Sequence, residues 1–305
     1  MRSENRSLFQ MRPGMRLAVF IALTGISMII GAMISFSIVA AYLHVGFAGI
    51  QHALLAPENA HIALFANALA SIIAFLLPGI AAAYFTEGSL LVNMGFAPVK
   101  HPKLIQWVVL IAFTGFLLSG ALASLTEKIS IPVNFKNWAE GLEVTYKKAL
   151  MAMTQMHSVG DLLINLLAVA IIPACVEELY FRGALQKNLK DWSGKPMIAI
   201  VVTAIVFSAF HFSYYGFLSR MALGIVLGLI FEYTGSIWLA ILLHAINNGV
   251  AVIALYTVKG NPDKVDKVMD ENLPMYWGVV AIVLLIILFK NLIKDADYGR
   301  LEKSI

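Results

Sequence analysis

Long apolar segments recur along most of this 305-residue chain, and they restrict its possible folds more than any other feature. A helix needs roughly 20 apolar residues to cross about 30 Å of hydrocarbon, and most of these segments are that long. The sequence therefore predicts an all-α fold, a polytopic integral membrane helical bundle of about eight transmembrane helices. We place them at 17–43, 62–86, 104–125, 160–177, 197–212, 220–233, 237–257 and 275–292.

The overall composition supports this class of protein. Hydrophobic residues make up 60% of the chain and charged residues 13%, and the mean hydropathy is +0.81. A soluble domain of average composition is about half apolar and about a quarter charged, so these values indicate a membrane protein. The first apolar run is longer than a signal-peptide core of roughly 7–15 residues, and we expect it to remain as an uncleaved span. The lone cysteine, Cys175, excludes an internal disulfide.

The positive charge of the chain has a membrane explanation. The net charge is +4 and the pI is about 9.0, but the basic residues cluster at the ends of the apolar segments. That arrangement is usual for membrane proteins, so we expect no nucleic-acid partner. More Lys and Arg residues lie on the side that holds both termini than on the other side. This bias predicts a multi-pass protein of the cell membrane with both termini in the cytoplasm.

One segment is too polar to cross the membrane. Within 126–159, apolar residues recur at helical spacing from Trp138 to Met156, and Glu143 and Lys147 form an i, i+4 pair. We expect an amphipathic helix on the membrane surface, and a lid over a site is the alternative. The predicted parts of the chain are a cytoplasmic tail 1–16, N-terminal transmembrane helices 17–125, the surface segment 126–159, a transmembrane core 160–257, and 258–305 with a charged loop, the last span and a cytoplasmic tail.

Three polar stretches interrupt the apolar pattern of the core. An ionisable residue at the centre of a bilayer costs on the order of 2.5–3.5 kcal/mol, so it usually faces the protein interior and has a function. Within each stretch a four-residue spacing places the outer residues on one helix face. The stretches are Glu177-Glu178-Leu-Tyr-Phe-Arg182, Phe207-Ser-Ala-Phe-His211 and His244-Ala-Ile-Asn-Asn248.

Together these stretches supply a carboxylate, two imidazoles and an amide, which suits the attack of water on a peptide bond. A carboxylate shielded from solvent can take a proton from a nucleophilic water. An imidazole can hold that water or protonate the leaving amine, and a further imidazole and an amide NH₂ can stabilise the oxyanion. The same side chains could instead hold a zinc ion with an open position for water. The residues alone do not separate the two arrangements.

Two functions other than proteolysis use the same residues. The polar groups could only hold helices together, as in a non-catalytic membrane scaffold or immunity-type protein. Intramembrane carboxylate and histidine also suit the proton relay of a proton-coupled transporter. Other types of membrane protease fit less well, because the chain has no HExxH and no GxSG, and Asp161 is the only aspartate in a predicted span.

The three motifs EExxxR, FxxxH and HxxxN, in this order, resemble those of the CPBP (ABI) group of intramembrane proteases. This group includes the type II CAAX prenyl endopeptidases and bacteriocin-processing or self-immunity proteins, and the resemblance covers roughly 160–257. It implies that Glu177 is the catalytic glutamate, that the second-motif histidine helps to activate water, and that the third motif stabilises the oxyanion or binds metal. The candidate catalytic residues are then Glu177, Glu178, Arg182, His211, His244 and Asn248.

The resemblance also bears on cofactor and substrate. The family is named as a metalloprotease, but a metal-free, glutamate-activated water has also been proposed for it. The candidate zinc ligands are Glu177, His211 and His244. A zinc site formed by all three would leave too few groups to act as the base and the oxyanion donor. We therefore favour water activation without a metal, with a divalent ion such as zinc on these three residues as the alternative. The expected partners are a membrane peptide or protein substrate, lipidated or not, and membrane lipids.

Three details can be tested by a structure. Arg182 is expected to pair with Glu178 and leave Glu177 free, and binding a substrate carboxylate is its alternative role. The GxxxG of Gly224 and Gly228 predicts close helix packing, and room for a lipid chain is the alternative. Depths calculated from the rise per residue along each predicted helix place His211 about 10 Å farther from the cytoplasmic edge than the other motifs. Either a predicted helix boundary is wrong or a helix is tilted.

Overall fold

The computed structural model describes residues 11–86, 88–259, 261, 264, 265, 268 and 272–301, and this part of the chain is helical, without a strand. Most of the predicted N-terminal tail, half of the charged loop 259–274 and residues 302–305 lie outside it. The longer helices are α1 (Pro13–Leu43), α2 (Pro57–Tyr84), α3 (Lys103–Lys128), α4 (Val133–Met153), α5 (Val159–Ser193), α6 (Pro196–Ala209), α7 (Phe217–Thr234), α8 (Ile237–Thr257) and α9 (Tyr276–Leu301).

The predicted fold class is confirmed, and the protein is a multi-pass helical membrane protein. Seven helices of the described residues are long and apolar enough to cross a membrane, all of the above except α4 and α6. Helix α6 was predicted as the remaining span, but its 14 residues extend only about 21 Å. The predicted span 197–212 was therefore wrong at its end, because the helix stops at Ala209 and is followed by a turn.

Helix α5 is much longer than the predicted span 160–177. Its 35 residues continue through all of the first motif and end where Gly194 adopts a left-handed conformation with φ 67°. The apolar pattern stops early because Glu178, Arg182 and Gln186 are buried against other helices and not exposed to lipid. The region 183–196, which the prediction leaves between two transmembrane spans, is thus mostly helix.

The two glycines of the GxxxG motif pack closely, as the first of the two interpretations predicted. A Cβ on Gly224 would lie 2.9 Å from the Cβ of Ala204 on α6, and one on Gly228 would lie 2.9 Å from the Gln186 side chain of α5. Because glycine has no side chain, neighbouring residues can also reach the helix backbone here. Gln186 donates a hydrogen bond to the carbonyl of Gly228 at 3.1 Å. The space at these glycines is occupied by protein, so the alternative of room for a lipid chain was wrong there.

Side-chain contacts show which helix ends share a face of the bundle. Arg16 at the start of α1 contacts Asp191 near the end of α5, and Trp107 at the start of α3 donates to Asp295 of α9 at 2.8 Å. At the other end of α3, Ser124 donates to the carbonyl of Leu273, just before α9. The bundle therefore has one face that holds the start of α1 and the end of α9, and an opposite face that holds α4.

Candidate active site

The three motifs meet around one cavity of about 620 Å³. Because α5, α6 and α8 pack against one another, residues far apart in sequence come together at its wall. The first two motifs contribute Glu177 and His211, and the third contributes His244 and Asn248. Glu178 and Arg182 do not line the cavity and are fully buried behind it. The structure therefore divides the six candidate residues into four that line the cavity and two that support them.

The buried pair confirms the predicted partner of Arg182. Its Nη1 donates to Oε1 of Glu178 at 2.7 Å, with neither side chain exposed. Its Nη2 donates to the carbonyl of Gly224 at 3.1 Å, and its guanidinium lies 4.9 Å from the centre of the Phe207 ring. Removing two charges from solvent is costly, and this pairing offsets much of the cost. The alternative role, binding a substrate carboxylate from the cavity, does not fit this position.

Glu178 also holds a residue of the third motif. Nδ1 of His244 lies 2.8 Å from Oε1 of Glu178, the same oxygen that accepts from Arg182. Since a carboxylate accepts, Nδ1 of His244 carries the hydrogen in this contact, which fixes the ring orientation. Only Nε2 of the imidazole is then left to act in the cavity.

Glu177 has a different environment from that of Glu178. Its side chain is 14% exposed, and its buried Oε2 has no hydrogen-bond partner. Oε2 lies 3.9 Å from Nε2 of His244, which is too long for a direct hydrogen bond. One water molecule can contact both atoms across such a gap. The free carboxylate oxygen and the free imidazole nitrogen therefore face the same part of the cavity.

His211 lies in the turn that follows α6. Its Nδ1 is 2.9 Å from the carbonyl oxygen of Phe207, and its ring packs edge-on against the Phe207 ring with 4.9 Å between the centres. A carbonyl only accepts, so Nδ1 carries a hydrogen and Nε2 is an acceptor when the ring is neutral. The next residue, Phe212, has φ 49°, a left-handed conformation that is rare for a bulky residue and that turns the chain sharply.

The depth problem noted in the sequence has a structural explanation. Because α5 ends at Ser193, Glu177 lies about 24 Å from that end, close to the roughly 22 Å between His211 and the start of α6. The error was the predicted end of the fourth span. His244 lies only about 10 Å from the start of α8, because that helix begins inside the protein. Its first residue, Ile237, is fully buried and donates its amide to the carbonyl of Gly95.

Two asparagines of α8 contribute amide groups. Nδ2 of Asn248 lies 3.4 Å from the Val169 carbonyl, and Asn247, which also lines the cavity, lies 3.4 Å from Oδ1 of Asn248. Pro173 has no amide hydrogen, so it cannot donate to Val169 four residues earlier, and Asn248 provides a donor there. Asn247 was not among the predicted site residues, although its position next to Asn248 of the third motif could have indicated a role in the site.

The amphipathic helix covers one side of the cavity. Glu143, Tyr146 and Lys147 of α4 line it, and Ser213 in the turn after His211 donates to Oε2 of Glu143 at 2.8 Å. Helix α4 is shorter than the predicted segment 126–159 and lies within it. Its position over the cavity agrees with the lid that the sequence analysis gave as the alternative.

The side chains considered as zinc ligands do not form a compact set. In the described part of the chain, no group of three or more His, Cys, Asp or Glu side chains is arranged to hold one metal ion. Glu177 and His244 approach each other, and Nδ1 of His244 and Nδ1 of His211 both face oxygen acceptors, so only Nε2 of each ring is free. Since the described side chains form no group of three ligands, they do not fit a three-ligand zinc site.

Comparison with known proteins gives a family match over this same region. Residues 159–250 match the family model described as type II CAAX prenyl endopeptidase Rce1-like. The uncharacterized protein YpbD of Bacillus subtilis (strain 168) is 26% identical over 112 residues, which cover 35% of this chain and 54% of the relative. This chain thus spans about half the length of that curated relative, and no solved structure matches it significantly. The resemblance inferred from the three motifs is confirmed: over residues 159–250 the chain is similar to the Rce1-like type II CAAX prenyl endopeptidases.

Proposed function

We propose that this protein is an intramembrane endopeptidase that hydrolyses a peptide bond of a membrane-associated protein or peptide. The observation that carries the proposal is the different environment of two adjacent carboxylates. Glu178 is bonded to Arg182 and His244, whereas Glu177 lines the cavity with an unpaired oxygen. A cavity-lining carboxylate with an oxygen that makes no hydrogen bond is the kind of group that acts as a general base. The match of residues 159–250 to a family of endopeptidases supports the same reaction.

In the proposed mechanism Glu177 accepts a proton from water while the water oxygen attacks the peptide carbonyl. The neutral ring of His211 can accept the second hydrogen of the same water at Nε2 and so orient it. The attack forms a tetrahedral intermediate with a negative oxygen. Breakdown of this intermediate expels the amine, and Glu177 returns its proton to the departing nitrogen. The carboxylate is regenerated and no covalent intermediate with the protein is formed.

The third motif supplies donors for the negative oxygen. The amide NH₂ groups of Asn247 and Asn248 lie on the cavity wall, and preorganised donors of this kind stabilise a charge that develops only during the reaction. Glu178 holds the ring of His244 through Nδ1, so Nε2 of the ring is the atom of His244 that is free to act in the cavity. The role of Arg182 is then indirect, since it fixes Glu178, which in turn fixes His244.

The proposed substrate reaches the cavity from the membrane or its surface. Apolar side chains of α1, α2 and α5 form part of the wall, and residues of the amphipathic helix α4 form another part. We propose that the substrate is a membrane peptide or lipidated protein and that the enzyme lies in the cell membrane with both termini in the cytoplasm. The cavity accepts a peptide segment in extended form more readily than a folded domain, because its volume is only about 620 Å³.

Replacing Glu177 with Gln tests the proposal. The change keeps the size and polarity of the side chain but removes the base, so hydrolysis of membrane peptides should fall by about 10²- to 10⁴-fold. The measurement is cleavage by purified protein in lipid nanodiscs, with products identified by mass spectrometry. Glu232→Gln is the matched control, because Glu232 pairs with Lys190 away from the cavity.

The outcomes separate the alternatives. Cleavage by Glu177→Gln at the wild-type rate would exclude this mechanism. Absence of cleavage by the wild type, with proton flux in proteoliposomes that His211→Ala abolishes, would identify a transporter. Absence of both activities would leave the scaffold interpretation, in which the buried polar groups only join helices.

A further inference from the structure

A second charged group in the cavity lies outside the three motifs. Arg220 is in the first turn of α7, one helical turn before Gly224, and its side chain is part of the cavity wall. The guanidinium lies 4.7 Å from the centre of the Tyr146 ring on α4. It also packs against the backbone at Gly216, where a Cβ would come within 2.0 Å of Nη1. The side chain is therefore positioned by its surroundings and not free in solvent.

The charge of Arg220 is not matched by a bonded partner. Nη1 is buried and has no hydrogen-bond partner. No carboxylate among the described residues lies within ion-pair distance of this side chain, although Glu127 and Glu143 also line the cavity. Glu143 is instead bonded to Ser213. A buried guanidinium nitrogen without a hydrogen bond is costly, and an anionic group that enters the cavity would remove part of this cost.

We propose that Arg220 forms a subsite that binds a carboxylate of the peptide substrate. The planar guanidinium matches a carboxylate through two parallel hydrogen bonds, which gives orientation as well as affinity. The carboxylate has two chemical sources, the free C-terminus of the peptide or an acidic side chain near the cleaved bond. This proposal rests on the proposed endopeptidase function and adds to it a preference for anionic substrates.

The subsite also assigns a place to the substrate in the cavity. Arg182 is excluded from this role by its burial behind the wall, so Arg220 is the cavity-lining arginine of the described residues. Ser213, which binds α4, and Gly216, which supports the guanidinium, belong to the same turn after His211. A carboxylate on Arg220 would therefore lie beside both the lid helix and the second-motif histidine, and would hold the peptide within reach of the reacting groups.

The test compares three forms of one membrane peptide of about ten apolar residues: a free acid, a C-terminal amide, and an amide with one internal Glu. Affinities are measured with wild type and variants in nanodiscs. Wild type should bind at least one carboxylate form about tenfold or more tightly than the plain amide, and Arg220→Gln should abolish that difference. Preference for the free acid assigns the C-terminus, and preference for the internal Glu assigns an acidic side chain.

Two further variants distinguish a loss of carboxylate binding from a folding defect. Gly216→Ala leaves Arg220 in place but displaces its guanidinium, so it should reduce the same preference for the carboxylate forms. Lys190→Ala removes a cation away from the cavity and should have no effect. The proposal is overturned if wild type binds all three peptides equally or binds none, or if Arg220→Gln weakens all three alike. Cleavage of the plain amide peptide by wild type, lost in Glu177→Gln, would preserve the proposed function in each of those cases.

Discussion

At the scale of single residues, the sequence predicted the pairing within the first motif but not its purpose. The i, i+4 spacing was enough to expect Arg182 beside Glu178, because neighbours on one helix face have few other geometries. The contact between Glu178 and His244 joins residues 66 apart in sequence, and no local pattern reports it. For the same reason Arg220 was not selected, since its distinction is a missing partner, which only three-dimensional packing reveals.

The buried pair gives a prediction about stability. Arg182→Ala leaves the carboxylate of Glu178 buried without its main partner, so we expect the free energy of unfolding to fall by about 3–5 kcal/mol. Arg182→Lys keeps the charge but loses the planar fork that reaches both Glu178 and Gly224, so it should lie between wild type and Ala.

Thermal unfolding of purified protein in detergent measures both variants. The control is Lys190→Ala, which breaks a partly exposed ion pair with Glu232 and should change the free energy of unfolding by about 1 kcal/mol or less. An Arg182→Ala variant as stable as this control would mean that the pair contributes nothing to the fold.

At the scale of helices, the length of each apolar segment predicted the positions of the transmembrane helices well, but it predicted poorly the residues at which some of them end. The spans α3 and α8 begin and end within three residues of their predicted bounds. Helix α5 extends far beyond its prediction, because its second half is buried in protein and needs no apolar pattern there. Helix α6 ends early, because Phe212 turns the chain. The first two motifs lie on or directly after these two helices, so the boundary errors fall where buried polar residues replace the lipid-facing pattern.

Helix packing at the GxxxG motif gives a second stability prediction. Gly224→Ala places a methyl group 2.9 Å from the Cβ of Ala204 and 3.0 Å from its backbone Cα, so α6 and α7 must separate. We expect a loss of about 1–3 kcal/mol in the free energy of unfolding, and a drop in activity because Gly224 also accepts from Arg182.

The matched control is Gly25→Ala on α1. A Cβ at that position meets nothing within 4 Å, so the variant should be neutral or slightly more stable. Both variants are compared by thermal unfolding in the same detergent. Equal stability of the two would contradict the close approach of α6 and α7.

At the scale of the whole molecule, the sequence predicted a membrane bundle with a polar core but not the direction in which the cavity opens. That direction depends on where α4 packs. Its residues Glu143, Tyr146 and Lys147 line the cavity, together with Glu127 at the end of α3. The opposite face, with Arg16 and Asp191, contributes no residue to the cavity wall in the described part of the chain. The cavity therefore opens on the face that does not hold the start of α1.

With this geometry, the orientation of the termini determines the side of the membrane from which a substrate reaches the cavity. If the bias of Lys and Arg sets the start of α1 in the cytoplasm, α4 and the mouth of the cavity lie on the other side of the membrane. Two exposed tryptophans mark the two faces: Trp138 on α4 is 54% exposed and Trp192 at the end of α5 is 61% exposed. Both can be replaced by cysteine in a Cys175→Ser background, which removes the only native thiol.

Labelling intact cells with a membrane-impermeant maleimide then reads the orientation. We expect Trp138→Cys to react in intact cells and Trp192→Cys to react only after lysis, because a charged reagent does not cross the hydrocarbon core. The reverse pattern would place the termini outside and the cavity mouth in the cytoplasm, and would contradict the charge-based assignment. Reaction of both cysteines in intact, sealed cells would contradict the placement of α4 and the end of α5 on opposite faces. A substrate supplied from the side that labels Trp138→Cys should be cleaved without permeabilisation, since that side also gives access to Glu177 and Arg220.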